Sequence, residues 1–338
     1  MSDAIICTDQ HLERHVIIKR LKSGADQRRL MDEIAALQAI RSKHVVQIYD
    51  VISDKSGNVV AVVEEYLSGS DLTSTPAPSD AESFMKLIYP VAEGIADIHA
   101  HGRVHRDIKR QNMKYDAEGC LKIFDFGLAR DLSTASTMGI VGTPGYMAPE
   151  LFEQSKGGRS SFTSAVDTFA FGATALAVVL VKLPRALRET PPELPSTKVD
   201  FTQLPFSLPS EISKLLNLCV HQNASERPPM KTVAETIGLH LLRDHHRALL
   251  SVSGRTYVLD KANRVVRLLT KDQGSLTITY DGLRFVIGAV EGDVAVNNLR
   301  ASNGASLPGS CVIVLGAPAL LGRRTSITVD VSHPEVAL

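Results

Sequence analysis

The sequence predicts an α+β domain built in two lobes, followed by a small all-β sandwich, and three changes of pattern along the chain carry that expectation. Up to about residue 67, short β-branched runs at 16–18 and 59–63 mark strands. Between them Leu30, Ile34, Leu37 and Ile40 recur at helical spacing, so 26–40 reads as an amphipathic helix. From 68 to 245 the period is helical: Phe84, Leu87, Ile88, Val91, Ile95 and Ile98 trace one face, and Ile212, Leu215, Leu216 and Cys219 trace another. From 250 to 338 short apolar runs at 256–259, 265–269, 276–280, 285–287, 312–315 and 327–331 are separated by Gly, Asn and Asp, the pattern of a sandwich. The first domain is therefore expected over 1–245, with a small lobe at 1–67 and a large lobe at 68–245. The segment 243–247 is expected as the connection to the second domain.

Composition narrows the function classes. Lys plus Arg and Asp plus Glu balance at 37 each, so charge gives no reason to expect nucleic acid or an anionic membrane as the partner. The longest apolar run, 169–181, falls short of the roughly 20 residues that span a bilayer and is expected as a buried core helix. Cys7, Cys120, Cys219 and Cys311 form no C-x-x-C pair, which argues against a zinc site or a disulfide framework. A reducing, cytoplasmic setting is the expectation, and residues 1–10 show no pattern of a signal peptide.

Between the helical faces lies 102–150, polar and Gly-bearing, and a long loop inside a compact domain is usually functional. It contains His105-Arg106-Asp107-Ile108-Lys109-Arg110-Gln111-Asn112, then Asp125-Phe126-Gly127, then Gly142-Thr143-Pro144-Gly145-Tyr146-Met147-Ala148-Pro149-Glu150. Upstream stands Val16-Ile17-Ile18-Lys19. In this order and at this spacing the four stretches resemble the catalytic loop, the magnesium loop, the end of the activation segment and the β3 lysine of protein kinases. Lys109 with Gly142-Thr143-Pro144 resembles the Ser/Thr branch of that family.

The resemblance implies a bilobal protein-kinase-like fold that transfers the γ-phosphoryl of Mg-ATP to Ser or Thr of a protein substrate. Phosphoryl transfer needs positioning and charge neutralisation more than covalent help. By resemblance, Asp107 orients the substrate hydroxyl and Lys109 neutralises the transferred group. Asn112 and Asp125 hold Mg2+, a hard cation that prefers oxygen. Lys19 contacts the α- and β-phosphates of ATP and pairs with Glu33 of the 26–40 helix; Glu13 and Asp32 are weaker partners. Glu65-Tyr66 resembles the hinge whose backbone bonds adenine. Asp167 resembles the helix anchor of the catalytic loop, and Glu150 with Arg227 the ion pair that closes the large lobe. Arg106 implies a phosphorylated activation segment, with Ser133, Thr134, Ser136 and Thr137 as acceptors for autophosphorylation. His99, His101 and His105 are spaced poorly for a shared metal.

The chain departs from the family pattern at its start. No glycine precedes Gly24, so the glycine-rich loop is not found and the small lobe reads as truncated, with 4–7 as a return strand only. Three readings of that departure compete: a start assigned too late, a kinase working with an open nucleotide site and weak ATP affinity, or a kinase-fold pseudoenzyme acting as a regulatory binding protein, which is the alternative function. The C-terminal region resembles a degenerate forkhead-associated domain on Gly254-Arg255, on Asp293-Val294-Ala295-Val296-Asn297-Asn298, and on Val312-Ile313-Val314-Leu315-Gly316. That family's phosphate site needs a Ser and a His after the Gly-Arg, whereas here the stretch reads Asn263-Arg264-Val265-Val266-Arg267. Phosphothreonine binding is therefore not expected, and the module is read as a possible docking site for a partner.

Overall fold

The computed structural model of the chain describes residues 4–21, 31, 34–35, 37–126, 143–153, 163–180, 182–196, 199–270, 272–332 and 336. The chain divides into two compact units, Met1–Ile237 and Gly238–Leu338.

The first unit opens with four antiparallel strands, β1 (Ala4–Asp9), β2 (Arg14–Arg20), β3 (Ile48–Ser53) and β4 (Val59–Glu65), in the order β1-β2-β4-β3. The β-branched runs at 16–18 and 59–63 supply β2 and β4, where branched side chains pack well on a pleated surface. Of the expected 26–40 helix, residues 31, 34–35 and 37–40 are described; 31, 34–35 and 37–38 are helical, and 39–40 lie past the helix end. Ile34 packs with Val59 and Val62, and Leu21, Ile48 and Val51 flank that cluster.

Helix α1 (Ala81–Ala100) carries the large half of this unit. Asp80 caps it, accepting the Ser83 backbone N–H at 2.8 Å, while the Ser83 hydroxyl oxygen accepts the Asp80 N–H at 3.3 Å. This reciprocal arrangement satisfies two donors at the helix start. Of the predicted face, Phe84, Ile88, Val91, Ile95 and Ile98 are buried, each contributing about 2 kcal/mol, while Leu87 is half-buried at its edge. Gly94 lets the chain at His44 come close: a Cβ there would lie 2.8 Å from the His44 carbonyl oxygen. That carbonyl accepts Ile123 N–H at 2.9 Å, so the close approach helps fix the strand leading to Asp125.

The described parts of 102–150, residues 102–126 and 143–150, are more ordered than their polar composition predicts. They hold a 3-10 turn at Arg110–Asn112 and a hairpin of β5 (Met113–Tyr115) and β6 (Leu121–Ile123). Strands of three residues are too short for alternation to be visible in a sequence. After the four-residue helix α2 (Glu150–Glu153) comes α3 (Ala165–Ala177), buried from Val166 to Ala177. The core helix expected at 169–181 thus starts earlier, at Ala165, and no described helix is long and apolar enough to cross a membrane. Short α4 (Arg185–Arg188), α5 (Ser210–Cys219) and α6 (Met230–Leu241) follow. The buried apolar residues Ile212, Leu216 and Cys219 form the inner face of α5.

The second unit is made of antiparallel strands in two sheets. One has β9 (Val265–Thr270), β10 (Gly274–Tyr280) and β11 (Phe285–Gly292) in the order β11-β10-β9. The other has β7 (Ala248–Val252), β8 (Arg255–Leu259), β12 (Val294–Val296), β13 (Leu299–Arg300), β14 (Cys311–Leu315) and β15 (Thr325–Val331) in the order β13-β12-β14-β15-β7-β8. One core unites them, including Leu250, Leu259, Leu276, Ile278, Ile287, Ile313 and Ile327. Gly254 lies in the two-residue turn joining β7 and β8, at φ 75° beside Ser253 at φ 49°. Two successive left-handed residues are what a tight hairpin turn requires, so local geometry accounts for this glycine.

Candidate active site

The catalytic-loop residues are held from below by one buried carboxylate. Asp167, fully buried near the start of α3, accepts the backbone N–H of His105 at 2.7 Å and of Arg106 at 2.8 Å. His99 Nε2 lies 3.0 Å from the same carboxylate. Arg106 has φ 68°, a left-handed conformation that a non-glycine residue keeps only where its surroundings impose it. His105 is locked as well. Its Nδ1 accepts the Asp107 N–H at 3.3 Å, which leaves Nε2–H to donate to the Phe124 carbonyl at 3.2 Å. Burial holds its imidazole below the ordinary value of 6.5, so the ring is neutral. None of the three histidines joins a metal cluster among the described residues, and His101 Nδ1 is 2.8 Å from the Asp97 carbonyl oxygen.

This scaffold gathers the predicted catalytic side chains. Lys109 Nζ lies 2.9 Å from Asp107 Oδ2 and donates to Thr143 Oγ1 at 2.9 Å. Asn112 Nδ2 donates to the Asp107 carbonyl at 2.8 Å and to its Oδ2 at 3.0 Å. Thr143 Oγ1 stands 3.5 Å from Asp107 Oδ1. The sequence reading used Thr143 only as a family mark; here its hydroxyl contacts both Lys109 and Asp107.

Asn112 and Asp125 flank the β5–β6 hairpin. The Phe124 N–H donates to the Asn112 carbonyl at 3.0 Å, which ties the two ends together. Asp125 sits at φ 69°, and its Oδ1 is 2.6 Å from Lys19 Nζ. Both residues suit a hard cation. Asp125 offers a carboxylate, and with the Asn112 amide nitrogen committed to Asp107 the carboxamide oxygen is the remaining donor atom.

Above Asp125 is a cleft of about 440 Å³ lined by Ile17, Lys19, Glu64, Tyr66, Lys114 and Asp125 among others. Among the described residues Lys19 pairs with Asp125; Glu33 and Asp32, its expected partners, lie outside the described residues, as do Gly127, Gly142 and the acceptors Ser133, Thr134, Ser136 and Thr137. Glu13 sits in the β1–β2 turn at φ 50°. Glu65 lines the cleft, but its carboxylate pairs with Lys122 and accepts the Gln47 N–H at 3.1 Å. Any hinge contact therefore falls to the backbone of this segment. Lys122 also reaches Asp116 at 3.6 Å, and Glu65 leads its raising partners against the opposing effect of burial.

Sequence reasoning missed Glu64. It is 8% exposed, and burial pushes its carboxyl up, with Lys19 opposing and Asp125 adding to the shift. Alternation along β4 puts Glu64 on the same face as the buried Val62, but which face points inward is shown by the structure and not by the sequence.

Away from the cleft, Glu150 and Arg227 pair as expected. Arg227, with a side chain 0% exposed, donates to the two Glu150 carboxylate oxygens at 2.7 and 2.8 Å and to the carbonyls of His221, Ala165 and Gln222. All five guanidinium N–H groups are thus used.

The fold and these motifs place the molecule in a known class, and the chain belongs to the protein kinase family: the model of the protein kinase domain matches residues 1–237. It is 30% identical over 230 residues to MAP3K epsilon protein kinase 2 of Arabidopsis thaliana, covering 66% of this chain and 16% of that protein. It is 27% identical over 236 residues to the mitogen-activated protein kinase kinase kinase YODA of the same plant, covering 68% of this chain and 25% of that one. Serine/threonine-protein kinase ssp1 of Schizosaccharomyces pombe is 30% identical over 186 residues, covering 51% and 28%. The chain thus spans a quarter or less of the two plant relatives.

Proposed function

We propose that this chain is an ATP-dependent protein serine/threonine kinase, transferring the γ-phosphoryl of ATP to a Ser or Thr hydroxyl of a protein. The observation that carries this reading is the constellation of Asp107, Lys109, Asn112 and Thr143 at hydrogen-bonding distances, tied through the Phe124–Asn112 bond to Asp125 and Lys19. Family membership implies protein substrates and supports both the cofactor and the Ser/Thr class.

In this reading Asp107 accepts or orients the hydroxyl proton, and Lys109 balances charge on the group in transit. Lys19 grips the α- and β-phosphates. The backbone of Glu65 and Tyr66 receives the adenine. Asn112 and Asp125 would hold Mg2+, which when bound neutralises phosphate charge. Autophosphorylation at Ser133, Thr134, Ser136 or Thr137, answered by Arg106, belongs to the same reading.

The second unit is read as a forkhead-associated-like sandwich that docks a partner without reading phosphothreonine. Its two sheets around one core support the sandwich. The hairpin turn at Gly254 explains that glycine without a phosphate site.

Mass spectrometry of the protein incubated with magnesium and ATP tests the kinase reading. Phosphate on Ser or Thr of an acceptor protein, and within 131–141, is expected; an unmodified acceptor and an unmodified 131–141 peptide would contradict it.

A further inference from the structure

A free strand edge offers unpaired N–H and C=O groups to any chain that can lie beside it. The two edges of the β11-β10-β9 sheet differ in this respect. Along β11 the edge is covered. Ile287 N–H donates to the Ala305 carbonyl at 2.8 Å, Gly304 N–H to the Ile287 carbonyl at 2.7 Å, and Leu307 N–H to the Phe285 carbonyl at 2.8 Å. Along β9 no such bond is found among the described residues.

The register shows which groups of β9 are left over. The Arg264 carbonyl accepts the Tyr280 N–H at 2.7 Å, and in an antiparallel ladder the bonded pairs alternate. Val266 and Leu268 therefore turn their backbone groups to β10, opposite Ile278 and Leu276, while Val265, Arg267 and Leu269 turn theirs outward. Side chains divide the same way. Val266 and Leu268 pack on the core of the second unit. Val265 and Leu269 are 59% and 72% exposed, and the Arg267 side chain 63%.

This apolar–cation–apolar order is self-complementary. Turned about a two-fold axis at Arg267, a second β9 sets its Leu269 against Val265 and its Val265 against Leu269. All three outward residues then gain a backbone partner, about six hydrogen bonds in all. Facing aliphatic pairs stabilise such a ladder, and facing like charges oppose it. The single opposing contact, Arg267 against Arg267, is offset by Glu291, whose carboxylate lies 4.0 Å from Arg267 within each chain.

Resting on the reading of the second unit as a docking module, we propose that its partner is a second copy of this chain, joined edge to edge through β9. The two three-stranded sheets then run on as one. The contact is small, so a dissociation constant on the order of 10–100 micromolar is expected.

Sedimentation velocity of the full chain from about 1 to 300 micromolar, with amide hydrogen exchange over the same range, tests this. Dimer that grows with concentration is expected, with exchange slowing at Val265, Arg267 and Leu269. Arg267→Pro removes only an outward N–H, which an edge strand tolerates, and should weaken association about tenfold or more. Leu269→Lys, which sets an ammonium against each Val265, should weaken it to a similar extent. Arg267→Val removes the facing charges and should tighten association about threefold. Non-specific adhesion would survive the proline. Association unchanged by both Arg267→Pro and Leu269→Lys therefore overturns the proposal. Dimer whose protection falls elsewhere in the second unit overturns the β9 assignment and leaves the docking reading standing. A chain that stays monomeric, with 265–269 exchanging freely at every concentration, overturns the inference and leaves the docking reading without this partner.

Discussion

The carboxylate of Asp167 holds Arg106 in its left-handed backbone conformation, accepting the Arg106 N–H at 2.8 Å where φ is 68°. The next residue is Asp107, so the aim of the carboxylate proposed to be catalytic depends on a hydrogen bond made 61 residues away in sequence. Asp167→Ala removes the acceptor for two backbone N–H groups, each worth about 1.5–3 kcal/mol to a charged acceptor. We expect a loss of roughly 3 kcal/mol or more in urea denaturation, with phosphoryl transfer falling further than nucleotide affinity. A variant as stable as the parent would show that the loop holds itself.

Glu150 and Arg227 make a different kind of prediction. Removing Glu150 leaves a fully buried guanidinium with its three carbonyls but no counter-charge. Breaking a buried pair from one side typically costs about 3–5 kcal/mol. Glu150→Ala should therefore lower the thermal midpoint by several degrees, and a shift within error of zero would mean that water replaces the carboxylate there.

Two buried histidines set a pH dependence. Burial lowers His44 and His105 below their ordinary value of 6.5. As pH falls through 6.5 the unfolded chain takes up these protons first, while the folded chain stays neutral at both rings. Their share of stability is whole above 6.5 and is lost progressively below it, toward the lower folded values. His44 Nδ1–H donates to the Leu121 carbonyl at 2.9 Å, and Asn can supply a similar donor without titrating. His44→Asn should flatten the slope of stability against pH below 6.5, as measured by denaturation at a series of pH values. An unchanged slope would remove His44 from this account.

Much of the candidate site's clustering was legible because the chemistry proposed for it ties residue types to fixed spacing. Asp107, Lys109 and Asn112 lie within six residues, and the structure brings them into one network. The fold was legible where periodicity was long: α1 and the buried α3 stand close to where their apolar spacing puts them. It was not legible where elements are short. Strands β5, β6, β12 and β13 run two or three residues, less than alternation needs to show. β7 was missed because its Ala-Leu-Leu-Ser-Val run follows the polar connection and lacks a clear period. Glu64 was missed because a charged residue beside another charged residue, Glu65, reads as solvated surface. Only pairing with β2 shows that Glu64 belongs to the cleft and that the Glu65 carboxylate belongs to Lys122.

The most direct measurement is transfer of radiolabelled phosphate from ATP, with magnesium, by the unsubstituted chain beside Asp107→Asn and Asp125→Ala. The account predicts label on Ser or Thr that falls by about a hundredfold or more in Asp107→Asn, the scale of a lost general base, and disappears in Asp125→Ala. No label from a folded protein at millimolar ATP, or label that persists equally in both variants, would contradict it.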